Sequence, residues 1–232
     1  PGTVSLDPGS RTPGVNQRPG RGGGTLERRA RLLVEVIRAV KQRGGSDYPG
    51  WCRIDGIEFL AEGGITHEDA KDTARMAEAA GADAIHVSSY ADASKGESFT
   101  TAHTTHTPCG FVDYAAGIKA VVRIPVITAG RIEPEVGDRL IRQGRIDFVA
   151  MGRKLLADPE LPRKVREGRA QEIRPCIYCY TCISAIYMGV DTRCAVRPEC
   201  GREFEFPAPD QSVTPRHVVG VGGGPVSYTH LR

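Results

Sequence analysis

The sequence lacks a long hydrophobic run: no stretch of about 18 or more uncharged apolar residues occurs along it, so it has no candidate transmembrane helix. No apolar segment of the signal-peptide type follows Pro1. An excess of one charge is lacking too, because 31 Lys and Arg residues stand against 28 Asp and Glu residues. That balance gives no support for a nucleic-acid-binding protein. We therefore expect a cytoplasmic protein that acts on a small-molecule substrate, without a nucleic-acid or membrane partner.

Cysteine is the residue type whose number and placement stand out. The chain has seven cysteines, and five of them lie between Cys176 and Cys200. An odd number crowded into one short segment is not typical of a secreted disulfide framework. The cysteines indicate instead a metal site in a reducing compartment.

Four of these cysteines follow the spacing Cys-x2-Cys-x2-Cys-x11-Cys, namely Cys176, Cys179, Cys182 and Cys194. A Cys-x2-Cys turn directs two thiolates to one side, and a cubane cluster needs one thiolate per iron. The spacing thus favours a 4Fe-4S cluster. A single zinc ion remains the alternative, although zinc ribbons more often show two separate Cys-x2-Cys pairs. Cys200 is a spare candidate ligand, which we expect in an exposed loop.

Apolar runs alternate with helical patterns in the middle of the chain. Buried strands are predicted at 50–54, 84–87, 124–128 and 146–151. Helices are predicted from Thr25 to Gly44, from Thr66 to Gly81, at 110–122, at 134–143 and, broken near Asp158-Pro159, at 153–168. This alternation predicts an α/β fold with a parallel sheet built from right-handed βαβ units.

Two Gly-Arg pairs, Gly130-Arg131 and Gly152-Arg153, each follow a predicted strand. Glycine lets backbone amides approach phosphate oxygens, and loops of this kind bind a phosphate in many (β/α)8 barrels. A turn followed by a surface arginine is the simpler interpretation of each pair alone. Two pairs at consecutive strand ends make a phosphate site a working hypothesis.

Three other side chains are candidates for chemistry. Arg53 lies in the apolar run 51–54, where a buried guanidinium must be paired with a carboxylate or with an anionic or electron-rich ligand. His103 and His106 lie in the long loop 88–110, where an imidazole could donate a hydrogen bond to a substrate carbonyl. His86, inside a strand, is expected to be a core residue with its hydrogen bonds satisfied.

Several motifs, taken in order, resemble those of the Old Yellow Enzyme-like NADH:flavin oxidoreductases. The resemblance is closest to the iron–sulfur branch that contains bacterial 2,4-dienoyl-CoA reductase and trimethylamine dehydrogenase. It covers about residues 16–225. The motifs are Gly23-Gly24-Thr25-Leu26-Glu27-Arg28-Arg29-Ala30-Arg31, Glu62-Gly63-Gly64, His86-Val87-Ser88, Ile124-Pro125-Val126-Ile127, Met151-Gly152-Arg153, Leu156-Ala157-Asp158-Pro159 and Arg174-Pro175-Cys176-Ile177.

The resemblance implies strands five to eight of a (β/α)8 TIM barrel that holds FMN, followed by a 4Fe-4S cluster. FAD and NAD(P)H are implied only for a full-length relative. Arg53 would contact the isoalloxazine, and His103 or His106 would match a histidine of the reductase branch. The backbones that would hold the FMN phosphate are those of Gly130, Arg131, Gly152 and Arg153. The cluster ligands would be Cys176, Cys179, Cys182 and Cys194.

The resemblance also has gaps. The family's first four strands and its catalytic tyrosine have no counterpart here, and Gly20-Arg21-Gly22 replaces its Asp-x-Tyr. We therefore expect four segments: a loop or disordered region at 1–24, half of an FMN-binding barrel at 25–170, a cluster segment at 171–206, and a linker with the start of a dinucleotide-binding domain at 207–232. The open sheet edges of half a barrel favour self-association.

The expected function is that of a fragment of an FMN- and 4Fe-4S-dependent oxidoreductase. Such an enzyme passes electrons from NAD(P)H to an enoyl or similar acceptor, and this chain alone is expected to be a poor catalyst. A non-catalytic zinc-binding module is the alternative. A phosphate-binding lyase or isomerase half-barrel is a third possibility, but it would leave the cysteines unexplained.

Overall fold

Five parallel strands form one sheet in the computed structural model, which describes residues 2–4, 11–14, 16–59, 63–91 and 108–206. Each strand pairs with the next one along the chain, so the sheet has the sequential order of a barrel arc. His103 and His106 lie outside the described residues. The strands are β1 (Gly2–Val4), β2 (Gly50–Phe59), β3 (Ala84–Ala91), β4 (Val126–Thr128) and β5 (Phe148–Val149).

Among the described residues, one α-helix precedes β2, one lies in each connection between β2 and β5, and short helices follow β5. Short 3-10 helices lie at Gly20–Gly22, Ala170–Glu172 and Glu203–Glu205. The α-helices of the described residues are α1 (Leu26–Gly44), α2 (His67–Ala79), α3 (Val112–Lys119), α4 (Pro134–Arg142), α5 (Arg153–Ala157), α6 (Leu161–Arg166) and α7 (Thr181–Tyr187).

Local sequence signals explain where these helices begin and end. The Thr66 side chain accepts a hydrogen bond from the Asp69 amide, and the Asp69 carboxylate accepts one from the Thr66 amide, both at 3.1 Å. This reciprocal cap starts α2, as the sequence predicts. Pro134 occupies the first turn of α4, and the break at Asp158-Pro159 separates α5 from α6.

The hydrophobic core lies on one face of the sheet. Cys52 and Ile54 of β2, with Ile85 of β3, are at most 1% exposed and pack against apolar side chains of α1, α2 and α3. Side chains alternate along a strand, so Arg53 and His86 belong to the opposite face. Arg53, which the family resemblance assigns to the flavin, is thus on the face opposite the core.

The strand Gly2–Val4 lies in the segment that the sequence predicts to be loop or disordered. It pairs in register with Gly50–Cys52 and adds a fifth strand to the four expected ones. A three-residue strand is too short to show a period of two, which explains why the pattern gives no sign of it. The strands β2 and β3 also extend beyond their predicted apolar runs, and the pairing of β2 shifts register between Asp55 and Glu58.

Residues 1–150 and 151–232 form two compact units, called here unit 1 and unit 2. The division falls before the expected boundary at 170/171, because Asp158 ties α5 and α6 to the cysteine segment. Its carboxylate accepts hydrogen bonds from Lys164 Nζ at 2.7 Å and from the Arg174 amide at 2.8 Å. No helix of the described residues is both long enough and apolar enough to cross a membrane.

Candidate functional site

Arg53 is exposed, which corrects the expectation of a buried guanidinium in the apolar run 51–54. The strand alternation explains the difference, because Cys52 and Ile54 enter the core whereas Arg53 is on the other face. Its register partner on β3 is His86. The geometry therefore favours the ligand-facing role for Arg53 over a buried ion pair.

His86 is not the satisfied core residue that its strand position predicts. Its Nε2 atom is buried and has no hydrogen-bond partner among the described residues. Burial, assisted by the positive charge of Arg53, lowers the pKa of His86 from 6.5 to about 4. The imidazole is therefore neutral near pH 7, with one ring nitrogen available to a ligand.

Buried carboxylates follow Arg53 along β2. Asp55, at 8% exposure, accepts a hydrogen bond of 2.7 Å from Ser88 Oγ and lies 3.9 Å from the Arg11 guanidinium. Glu58 accepts a hydrogen bond from the Thr12 hydroxyl and one of 2.8 Å from the Ile65 amide. These contacts fix the carboxyl end of β2, where barrel enzymes place their ligands. Neither Asp55 nor Glu58 is predicted from the sequence. Asp55 follows Arg53 by two residues, however, and residues two apart on a strand lie on the same face.

The predicted phosphate residues of unit 1, Gly130 and Arg131, follow β4 in a strained turn. Both have positive φ angles, +111° and +53°, and a Cβ atom on Gly130 would lie 3.0 Å from the ring of Phe111. The Gly130 carbonyl accepts a hydrogen bond of 3.0 Å from the Cys109 amide. Position 130 therefore accepts only glycine without strain. A non-glycine residue with a left-handed backbone, such as Arg131, is typical of turns at functional sites.

The predicted phosphate residues of unit 2 are Gly152, which caps α5, and Arg153, its first residue. A Cβ atom on Gly152 would meet nothing within 4 Å. The backbone at Gly152 is thus open to a ligand that approaches closely.

All four cysteines of the predicted cluster motif line one small cavity in unit 2: Cys176, Cys179, Cys182 and Cys194. The first two lie in the turn that leads into α7, the third lies within α7 and the fourth follows that helix. Helix α7 is absent from the predicted elements. Cys200 is buried, contrary to the expected exposed thiol, and does not line this cavity.

The thiols surround a space rather than a single point. Among the described residues, no group of three or more His, Cys, Asp or Glu side chains is placed to hold one metal ion. A zinc site requires four ligand atoms about 2.3 Å or less from one centre. A cluster of four irons takes one soft thiolate per iron, and the four thiols that line this cavity supply that number and type of donor.

The electrostatic environment differs between the cysteines. Burial acts to raise the pKa of Cys179, but hydrogen bonds from the Thr181 hydroxyl and from backbone amides outweigh it and lower that pKa. Burial, followed by the charge of Cys176, raises the pKa of Cys182, whereas Arg153 acts in the opposite direction. Crowded thiolates repel each other, and a cationic metal centre would relieve that repulsion.

A family model described as NADH:flavin oxidoreductase / NADH oxidase matches residues 11–172. The chain belongs to this family. An NADH oxidase from Thermoanaerobacter brockii is 44% identical over 222 residues, which cover 92% of this chain and 33% of that protein. A cinnamate reductase from Clostridium sporogenes is 35% identical over 222 residues, with coverages of 90% and 33%. The chain thus spans about a third of the length of these curated relatives.

A solved structure of 2-naphthoyl-CoA reductase with 2-naphthoyl-CoA is 32% identical to this NADH:flavin oxidoreductase family member. Its TM-score is 0.79, and the match covers 85% of this chain and 30% of that one. The match confirms the predicted α/β class and the partial TIM barrel. These relatives belong to the iron–sulfur branch of Old Yellow Enzyme-like proteins, so the resemblance seen in the sequence is confirmed.

Proposed function

We propose that this chain supplies the flavin-contacting strands and the cluster segment of an FMN- and 4Fe-4S-dependent oxidoreductase. The enzyme would pass electrons from NAD(P)H to an enoyl or similar acceptor, with FAD and NAD(P)H held by further parts of a full-length protein. The observation that carries the proposal is that the four cysteines of the Cys-x2-Cys-x2-Cys-x11-Cys motif line one cavity. A relative named cinnamate reductase and a neighbour named 2-naphthoyl-CoA reductase support an unsaturated acceptor.

Unit 1 provides residues that fit a flavin. The exposed Arg53 would contact the isoalloxazine. On the same face one strand away lies Nε2 of the neutral His86, which has no hydrogen-bond partner in the described part of the chain. In the turn after β4, Gly130 and Arg131 would present backbone to the phosphate. When bound, FMN supplies hydride and single-electron transfer and the cluster supplies single-electron transfer, while the protein sets position and potential.

Unit 2 provides residues that fit a cluster. Cys176, Cys179, Cys182 and Cys194 would each bind one iron as thiolates. Thr181 Oγ1 lies 3.3 Å from Cys179 Sγ, and this hydrogen bond orients the thiolate and lowers its basicity. The remaining cavity lining is largely apolar, with Leu156 and Val196 among it, and apolar walls limit access of water.

Metal and flavin analysis of the anaerobically purified chain tests the proposal. We expect about four irons and four sulfides per chain, a broad absorption near 400 nm and no stoichiometric zinc. Cys194→Ser should lose most of the iron. Cys109→Ser, a half-buried cysteine of unit 1, is the matched control and should keep it. Cys200→Ser should also keep its iron, because Cys200 does not line the cavity.

One zinc per chain and no colour would favour the zinc-binding module and overturn the proposal. Loss of iron in Cys200→Ser with retention in Cys194→Ser would replace the proposed ligand set. For the flavin, we expect weak FMN binding that Arg53→Gln weakens further, measured by quenching of flavin fluorescence. Equal FMN affinity in both proteins would remove Arg53 from the flavin site.

A further inference from the structure

An arginine side chain of unit 2 lies close to two aromatic rings in the lining of the cysteine cavity. The guanidinium carbon of Arg153 lies 5.3 Å from the ring centroid of Tyr178 and 5.6 Å from that of Tyr180. Both distances are within the range of cation–π attraction. Lys154 Nζ also lies 5.3 Å from the Tyr178 centroid. We call Arg153, Tyr178 and Tyr180 the arginine–tyrosine clamp.

The clamp belongs to the same cavity as the cysteines. Arg153, Tyr178 and Tyr180 all line it together with the four thiols. The two tyrosines flank Cys179 in the turn that joins Cys176 to α7. Contacts that restrain the rings of Tyr178 and Tyr180 therefore also restrain the backbone on both sides of Cys179.

The backbone of this turn is unfavourable for tyrosine. Tyr178 and Tyr180 have φ angles of +54° and +68°, in the left-handed region that disfavours residues with a Cβ atom. Glycine at either position would remove this strain at no steric cost. Tyrosine side chains that stay in such positions must make contacts that offset it. The contacts with the Arg153 guanidinium are of that kind.

We propose that Arg153 is a positioning residue for the 4Fe-4S cluster, acting through its stacked contacts with Tyr178 and Tyr180. This inference rests on the proposed function. The stacking holds the Cys176–Cys182 turn in the conformation that brings its thiols to the cavity. A positive charge in the lining of the cysteine cavity would also stabilise the added negative charge of a reduced cluster. The side chain of Arg153 thus has a role separate from that of its backbone.

Two readouts separate the geometric effect from the electrostatic one. The first is the rate at which anaerobically reconstituted protein loses iron to a ferrous chelator. The second is the midpoint potential of the cluster, followed by electron paramagnetic resonance. The variants are Arg153→Gln, Arg153→Lys and Tyr180→Gly. Arg163→Gln is the matched control, since Arg163 lies on α6 of the same unit in an exposed ion pair with Glu160.

Arg153→Gln should lose iron about tenfold faster, since it abolishes both ring contacts, and its midpoint potential should become more negative. Arg153→Lys keeps the charge without the planar guanidinium, so its potential should stay near wild type while its iron loss accelerates. Tyr180→Gly should also lose iron faster, although it relaxes the backbone. Arg163→Gln should match the wild type in both readouts.

The outcomes separate failure of the clamp from failure of the proposed function. A wild-type chain without iron overturns the proposed function, and the clamp falls with it. A wild-type chain with a cluster, whose Arg153→Gln variant matches it in both readouts, overturns the clamp alone. If circular dichroism shows that Arg153→Gln is unfolded, the iron-loss rates of Arg153→Lys and Tyr180→Gly test the clamp instead, and wild-type rates in both would overturn it. Slower iron loss in Tyr180→Gly would show that the tyrosine side chain adds only strain and would overturn the clamp.

Discussion

Arg53 and His86 are register partners on neighbouring parallel strands, on the sheet face opposite the core. One guanidinium is exposed and permanently charged, whereas the imidazole beside it is partly buried and neutral near pH 7. The two residues therefore present a cation and an uncharged ring nitrogen side by side. The charge of Arg53 also acts on the pKa of His86, which makes the pair measurable without any ligand.

Arg53→Gln should raise the pKa of His86 above its value of about 4, since the neighbouring positive charge is the second cause of its depression after burial. Solvent around the exposed arginine limits the size of this rise. Proton NMR titration of the imidazole measures it. Arg75→Gln, on the surface of α2 in an ion pair with Asp72, is the control and should leave the pKa unchanged. An unchanged pKa in Arg53→Gln would show that burial alone sets the value.

The same depressed pKa makes the stability of unit 1 depend on pH. The folded imidazole has a pKa of about 4 against an ordinary value of 6.5, so between these values the unfolded chain binds more protons. The free energy of unfolding should therefore fall as pH decreases from 6.5 to 4, by an amount on the order of 1 kcal/mol after allowance for solvent.

Trp51, the single tryptophan of the chain, lies in β2 and reports on unit 1 by fluorescence during urea unfolding. His86→Gln removes the titrating group and should flatten this part of the pH profile. The same slope in His86→Gln and in the wild type would assign it to other groups.

Gly130→Ala should destabilise unit 1 by about 2 kcal/mol or more, because alanine meets both a left-handed backbone and a ring contact. The φ angle is +111° and the added Cβ atom would lie 3.0 Å from Phe111. Gly144→Ala isolates the backbone contribution, since Gly144 has a φ angle of +68° and open space around it. That control should cost about 1 kcal/mol. Equal losses in the two variants would show that the Phe111 contact relaxes freely.

The parts of the fold with strong local signals were predictable. The reciprocal Thr66–Asp69 cap, Pro134 at the start of α4 and the apolar alternation around Cys52 and Ile54 each rest on neighbouring residues. The spacing of the cysteines likewise predicted that they lie together, because two Cys-x2-Cys steps bring three thiols to one region.

Features that depend on distant partners were not predictable in the same way. The strand Gly2–Val4 exists through its pairing with β2, and the burial of Asp55 depends on Ser88 and Arg11. Arg53 lies in an apolar run, yet which face it occupies depends on where the helices pack. Tertiary contacts of this kind leave no local period in the sequence.

Asp158→Asn should destabilise unit 2 by about 2–3 kcal/mol, because it leaves Lys164 without its buried partner. Burial acts to raise the pKa of Asp158, but Lys164 and backbone amides outweigh it and lower that pKa below 3.8. The carboxylate therefore adds stability that is present above the ordinary value and lost as pH falls through the lower folded one.

Thermal unfolding at pH 7, with iron loss as a second readout, measures the effect of Asp158→Asn. Glu160→Gln, which removes an exposed ion pair with Arg163 in the same unit, should change stability by less than about 0.5 kcal/mol. Equal melting temperatures for Asp158→Asn and the wild type would show that Asp158 does not tie α5 and α6 to the cysteine segment.

The last strand of the sheet makes self-association of the chain testable. In the described residues β5 pairs only with β4, and its Phe148 is 57% exposed. An unpaired strand edge with an exposed aromatic residue is a template for another chain.

We expect the wild-type chain to self-associate as its concentration rises, and Phe148→Glu to weaken that association about tenfold. Light scattering after size exclusion measures the association. Ile141→Glu alters a 42% exposed apolar residue that lies on α4 and not on a strand, and it should associate like the wild type. A wild-type chain that stays monomeric, or a Phe148→Glu variant that associates equally well, would show that this edge is not the contact.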